Sequence, residues 1–184
     1  SIGAEQAGGA YAQLAECMIE AMHKEVEAEM VRAHGRVPGG AAVVIAMGKL
    51  GGREMTASSD LDLIVVYDFD AAATLSSGVK PLAAQQYYTR YTQRLISALA
   101  SQTAEGNLYE VDMRLRPSGQ KGPVATQLSG FIEYHRREAW TWEHLALTRA
   151  RVVSGPAALR EAVELAIRQV LTLPRDRTRI AADV

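Results

Sequence analysis

The sequence predicts an α+β fold, a small mixed sheet flanked by helices and followed by a helical C-terminal part, and three observations lead there. Two short apolar runs, AAVVIAM at 41–47 and LDLIVVY at 61–67, lie between glycine-rich or polar segments, as buried strands do. Residues 108–116, LYEVDMRLR, alternate with period two, as a half-buried strand does. The stretches before and after these runs carry helical spacing.

Taken in order, the first helix is expected over about Ala10 to Ala33, where there is neither Pro nor Gly and Leu14, Met18, Met22, Val26 and Met30 form an apolar stripe. Gly35, Pro38, Gly39 and Gly40 end it. The two apolar strands follow, joined by GKLGGREMTASS, glycine-rich and then polar. Residues 71–80 read as a loop, and Pro81 suits the first turn of a helix running to about Ala100. On that helix Tyr87, Tyr88 and Tyr91 with Leu95 and Leu99 make a core face. The alternating strand would place Leu108, Glu110, Asp112, Arg114 and Arg116 on one face and end at Pro117. Helices are expected over about 128–137, 140–152 and 156–171, with Gly155 and Pro156 between the last two.

Composition narrows the function classes. The chain has 184 residues, 48% hydrophobic and 22% charged, which suits a globular domain and not a disordered chain. Lys plus Arg number 20 and Asp plus Glu 21, for a net charge of −1, so no overall field draws it to nucleic acid or an anionic membrane. The single cysteine, Cys17, excludes an internal disulfide and a Cys-cluster zinc site. No run approaches the roughly 20 apolar residues of a membrane span, and no signal peptide is visible. A cytoplasmic location is expected. The opening SIGAEQAGG and the closing RDRTRIAADV read as the ends of a piece cut from a longer polypeptide.

The chemistry points to acids. Asp60 and Asp62 stand one residue apart at the entry to a strand, so period two puts both carboxylates on one face, with Cα atoms about 6.5 Å apart. Two ionised carboxylates there raise each other's pKa unless a cation lies between them. Oxygen ligands of this kind suit Mg²⁺ or Mn²⁺, whose shells are completed by water and substrate phosphates. Asp112 supplies a third carboxylate if its strand neighbours the first two, a set able to hold two ions for in-line phosphoryl displacement. Arg114 and Arg116, on the face of Asp112, suit a polyphosphate; the same spacing equally allows Asp112 and Arg114 to pair with each other. The turn before Asp60 offers backbone N–H groups to phosphate.

Other motifs fail. GKLGG lacks the Ser or Thr of a P-loop, and GGREMT is no dinucleotide fingerprint. His23, His34, His135 and His144 lack metal spacing and read as helix-surface residues. Asp68 and Asp70, some 20 Å along the strand from the first pair, read as a solvated loop entrance.

GKLGGRE at 48–54, SDLDL at 59–63, VDMRLRPSG at 111–119, EAWTWEH at 138–144 and TRARV at 148–152 together closely resemble the glutamine synthetase adenylyltransferase family. The resemblance covers about 41–153. It implies a DNA polymerase β-like nucleotidyltransferase fold, with an N-terminal helix and linker over 1–40, the nucleotidyltransferase domain over 41–153 and the start of a further helical region over 154–184. Proteins of that family are bifunctional. One domain removes AMP from glutamine synthetase by phosphorolysis, and a C-terminal one transfers AMP from ATP to a tyrosine of that enzyme. LRPSG and EAWTWEH resemble the C-terminal, adenylylating domain; the deadenylylating half is the alternative.

By the same resemblance Asp60, Asp62 and Asp112 match metal-binding, catalytic carboxylates. Gly51, Gly52 and Ser59 match a phosphate-holding turn, Arg114 and Arg116 are basic residues near the site, and Lys49 and Arg53 are weaker phosphate candidates. Trp140, Trp142 and Glu143 are expected to pack the helical part against the sheet. The implied partners are glutamine synthetase as substrate, with glutamine and a PII-type signalling protein as regulators of the full-length enzyme. A non-catalytic nucleotide-binding module is the rival reading, and a nucleic-acid polymerase is disfavoured by the net charge.

Overall fold

A computed structural model describes residues 3–103 and 106–174. Residues 1–2 and 175–184, within the ends read above as cuts, lie outside the described residues. The architecture is α+β, with a small mixed sheet between two helical layers.

Helix α1 (Ala4–His34) starts earlier than the apolar spacing indicates. Its buried positions are Gly8, Ala12, Ala15, Ile19, His23, Val26, Met30 and His34, a 3.6-residue stripe. A strict four-residue spacing drifts around the helix relative to that stripe, so only Val26 and Met30 coincide with it and Leu14 faces out. Strands β1 (Ala41–Ala46) and β2 (Leu61–Asp68) form where the apolar runs predict them. They pair antiparallel, Ala41 opposite Asp68 and Ala46 opposite Leu63. Both faces are covered, which is why neither strand alternates with polar residues. Val44, Leu61, Leu63 and Val65 join the core under α1 and α3 (Ala84–Leu99), while Val43, Ile45, Ile64 and Val66 join a second core on the opposite face.

Tyr87, Tyr88, Tyr91, Leu95 and Leu99 form the buried face of α3 as expected. Its start is not at Pro81. Ser76 and Leu82 bind each other, Ser76 N to Leu82 O at 2.9 Å and Leu82 N to Ser76 Oγ at 3.0 Å, so the chain closes a loop before the helix begins. After a small hairpin, β3 (Gln102–Thr103) with β4 (Gly106–Asn107), the alternating segment forms only a short strand, β5 (Val111–Asp112), parallel to β2. The expected strand to Arg116 is cut off because the Asp112 carboxylate takes the N–H of Arg114, diverting the backbone into turns. The same edge of β2 is then taken up by β6 (Ala125–Gln127), Val65 opposite Ala125.

Helices α4 (Leu128–Arg137), α5 (Thr141–Leu147) and α6 (Ala157–Thr172) cover the second face. The helix expected over 140–152 stops early. Arg151–Ser154 is a strand, β7, antiparallel to the free edge of β1, with a bulge between Val44 and Ile45. Its β-branched pair Val152 and Val153 completes a ladder that only the folded sheet offers.

The histidines also depart from expectation, since His23, His34 and His135 are buried. His23 Nδ1 meets Tyr91 Oη at 2.6 Å and His34 Nδ1 meets Lys80 O at 2.8 Å, but neither ring nitrogen of His135 has a hydrogen-bond partner. Its ring packs edge-on to Phe131 and Tyr134. Burial, reinforced by the nearby His144, pushes its pKa down to about 4 from 6.5. Between those values the unfolded chain binds the proton and the folded chain does not, so stability falls as pH drops through that window. We expect His135 to account for about 2 kcal/mol of the stability lost between pH 7.5 and 5. Urea unfolding at the two pH values should show a smaller loss for His135→Leu.

Candidate active site

The site is built at the end of β2 where the chain enters it. Asp62 stands opposite Asp112 of β5 in the parallel register, and Asp60 precedes it by one turn of the pleat. Asp60 is exposed and Asp62 half-buried. Burial, then Asp112, then Asp60 push the Asp62 carboxyl above its ordinary pKa, while Arg114 and Lys49 oppose the shift. Asp62 is thus within electrostatic reach of both other predicted carboxylates.

They are not equally free. Among the described residues no three His, Cys, Asp or Glu are gathered closely enough to hold an ion as they stand. Asp112 is turned to Arg114, whose backbone N–H donates to Oδ1 at 2.8 Å and whose Nε donates to Oδ2 at 2.8 Å. These bonds hold the Asp112 carboxyl below its ordinary pKa. Of the two readings left open by the spacing, this structure shows the Asp112–Arg114 pair. A cleft of about 410 Å³ beside the pair is lined by Asp60, Glu110, Asp112, Arg114 and Arg116. Arg116 does not share the exposed face of Arg114. Its guanidinium folds back onto carbonyls of its own loop, NH1 to Met113 O at 2.9 Å and NH2 to Gln120 O at 3.3 Å.

The turn between β1 and β2 is helix α2 (Gly48–Gly51). Its later amides are committed: Gly51 N donates to Met47 O, Gly52 N to Gly48 O, Arg53 N to Leu50 O and Glu54 N to Lys49 O. The expectation that this turn offers N–H groups to phosphate therefore fails for residues 51–54. Gly51 is buried, and a Cβ there would overlap the Arg149 carbonyl, so its lack of a side chain serves close packing. Gly52, Lys49 and Arg53 are exposed. Ser59 closes the approach to Asp60, its Oγ accepting from Thr56 N at 2.9 Å. Gly48, at φ +53°, is the glycine that touches the acids: a Cβ there would overlap Asp62 Oδ2.

Arg151 is the residue whose importance the sequence left hidden. From β7 it donates through Nε to Gly51 O at 2.6 Å and through NH2 to Leu50 O at 2.9 Å, and it pairs with Glu16 of α1. One guanidinium fixes the last carbonyls of α2, the edge strand and the first helix. Its only signal was membership of TRARV. Arg149, from the same motif, pairs with Glu54 at 3.0 Å. Glu143 is buried, but its bonds run to α4 and to the start of its own helix and not to the sheet: it accepts from Tyr134 Oη and Trp140 N, each at 2.8 Å. Trp140 and Trp142 do not pack against the sheet as expected, being 57% and 51% exposed.

Two substitutions test this construction. Gly48→Ala should displace the Asp62 carboxylate and cost about 1–2 kcal/mol through the left-handed backbone, read by urea unfolding together with Mn²⁺ titration. Arg151→Met should cost about 2–3 kcal/mol, because it leaves Glu16 half-buried without its cation and takes a donor from the Gly51 and Leu50 carbonyls. The unfolding midpoint measures that loss.

Comparison with known proteins identifies the family of the chain. The model of the glutamate-ammonia ligase adenylyltransferase family matches residues 2–166. Bifunctional glutamine synthetase adenylyltransferase/adenylyl-removing enzymes are similar along the whole chain. That of Brucella suis biovar 1 (strain 1330) is 55% identical over 184 residues, that of Xanthobacter autotrophicus (strain ATCC BAA-1158 / Py2) 55% over 185, and that of Agrobacterium fabrum (strain C58 / ATCC 33970) 54% over 184. In each case 100% of this chain aligns with 19% of the relative, so the chain spans about a fifth of those enzymes. On this match the chain belongs to the glutamate-ammonia ligase adenylyltransferase family, a family of nucleotidyltransferases.

Proposed function

We propose that this chain is an adenylylating unit with a DNA polymerase β-like fold, which transfers AMP from ATP to a tyrosine of glutamine synthetase and releases pyrophosphate. The observation that carries the reading is the β2–β5 register, which sets Asp62 opposite Asp112 with Asp60 at the same strand end. The donor set fits Mg²⁺ or Mn²⁺. It is all carboxylate oxygen, and Asp62 is held above its ordinary pKa by burial and by two like charges, a conflict that a cation relieves. Asp60, Asp62 and Asp112 would hold the metal. Bound there, it would polarise phosphate oxygens and lower the pKa, about 10, of the attacking phenol.

The chain's own groups supply the rest. Arg114 and Lys49, both exposed near Asp62, are placed to bind the polyphosphate and orient the α-phosphorus for in-line attack by the tyrosine oxygen. Asp112 is the acceptor for the phenolic proton. Arg116 acts indirectly, by fixing the loop that forms the cleft wall. LRPSG and EAWTWEH favour the adenylylating half over the phosphorolytic one. Glutamine and a PII-type protein are proposed regulators of the full-length enzyme only.

Incubation with ATP labelled at the α-phosphate, Mg²⁺ and unmodified glutamine synthetase should label a tyrosine of the acceptor. Asp60→Asn, Asp62→Asn and Asp112→Asn should each reduce transfer about a hundredfold or more with the fold intact. Near-normal transfer by Asp112→Asn would exclude the three-carboxylate arrangement. Release of ADP from adenylylated synthetase on adding phosphate would assign the opposite reaction.

A further inference from the structure

We propose that Arg114 is an internal counter-cation that occupies Asp112 until substrate phosphates draw it away, so that the third carboxylate reaches the metal site only once a nucleotide is seated. The proposal rests on the nucleotidyltransferase reading and adds an order of events to it.

Three contacts define the occupied state. Arg114 N reaches Asp112 Oδ1 at 2.8 Å, while Nε and NH2 reach Oδ2 at 2.8 and 2.5 Å, so both carboxylate oxygens are engaged. The partners differ in freedom to leave. The Asp112 side chain is 14% exposed and sits on β5, laddered to β2; the Arg114 side chain is 69% exposed and springs from the turn that follows. An exposed guanidinium gives up little when it swings away. A polyphosphate offers the same fork geometry as a carboxylate with more negative charge, so it displaces Asp112 as the partner. Arg116 has no such freedom, because its guanidinium is bound to the carbonyls of Met113, Gln120 and Gly122. With Arg114 in place Asp112 already has its cation, and an ion that needs this third carboxylate has to compete for it.

The test is titration of the chain with Mn²⁺, reading free ion by electron paramagnetic resonance, with and without α,β-methylene-ATP. Without nucleotide, Arg114→Ala should bind Mn²⁺ about fivefold more tightly than the parent, the weight of one well-formed exposed ion pair. With the nucleotide the parent should gain Mn²⁺ affinity and Arg114→Ala should gain much less. Arg114→Lys, keeping the charge without the fork, should fall between them. Thermal unfolding checks that the variants are folded. Equal Mn²⁺ affinity of parent and Arg114→Ala without nucleotide, or an equal gain with it, would overturn the exchange alone, provided that Asp62→Asn abolishes the binding. Binding indifferent to Asp62→Asn would overturn the metal-site reading and the exchange with it.

Discussion

The register between β1 and β2 is the constraint from which the rest follows. Because side chains alternate across a strand, Leu61, Leu63 and Val65 enter the core beneath α1 and α3, and the intervening Ile64 and Val66 enter the opposite one. Asp62 belongs to the second set, at the end of the strand where that core gives way to the cleft side. A slip of one residue would carry its carboxylate into the apolar layer under α1 and bring a leucine into its half-buried place. An unpaired carboxylate in that layer makes the exchange prohibitive, so the apolar cover under α1 and α3 specifies the face on which Asp62 stands.

Around that register the structure uses charge sparingly. Asp62 and Asp112 face each other across one pair of strands yet shift in opposite directions, Asp62 upward and Asp112 downward. Their different cover explains it. Asp62 is more deeply desolvated and sees two like charges, whereas Asp112 receives the guanidinium and backbone N–H of Arg114. Arg151 works at the back of the site, where it joins α1, α2 and β7 through Glu16 and the carbonyls of Leu50 and Gly51.

Much of this was legible in the sequence where the governing interaction is local or periodic. The apolar runs at 41–47 and 61–67, the tyrosine face of α3 and the pairing of Asp60 with Asp62 follow from side-chain spacing. What remained hidden depends on distant partners. Residues 151–154 become a strand because β1 has an open edge to fill, which no property of RVVS by itself discloses. His135 resembles a surface residue of an amphipathic helix until α5 is laid over it. For Asp112 and Arg114 the spacing allowed two arrangements, and the turn after β5 decided between them. Arg116 looked like its twin, but the loop closing around Gln120 and Gly122 claims its donors.

Glu143, accepting from Tyr134 and the backbone of Trp140, fixes the start of α5 and leaves Trp140 and Trp142 turned outward. The chain has 2 tryptophans, so its indole chromophores both lie on one short surface segment and none lies in either core. Ultraviolet emission from this protein is therefore a local spectroscopic probe of that surface. It is open to aqueous quenchers in the native state, and its colour responds to whatever covers α5 more than to the integrity of the sheet.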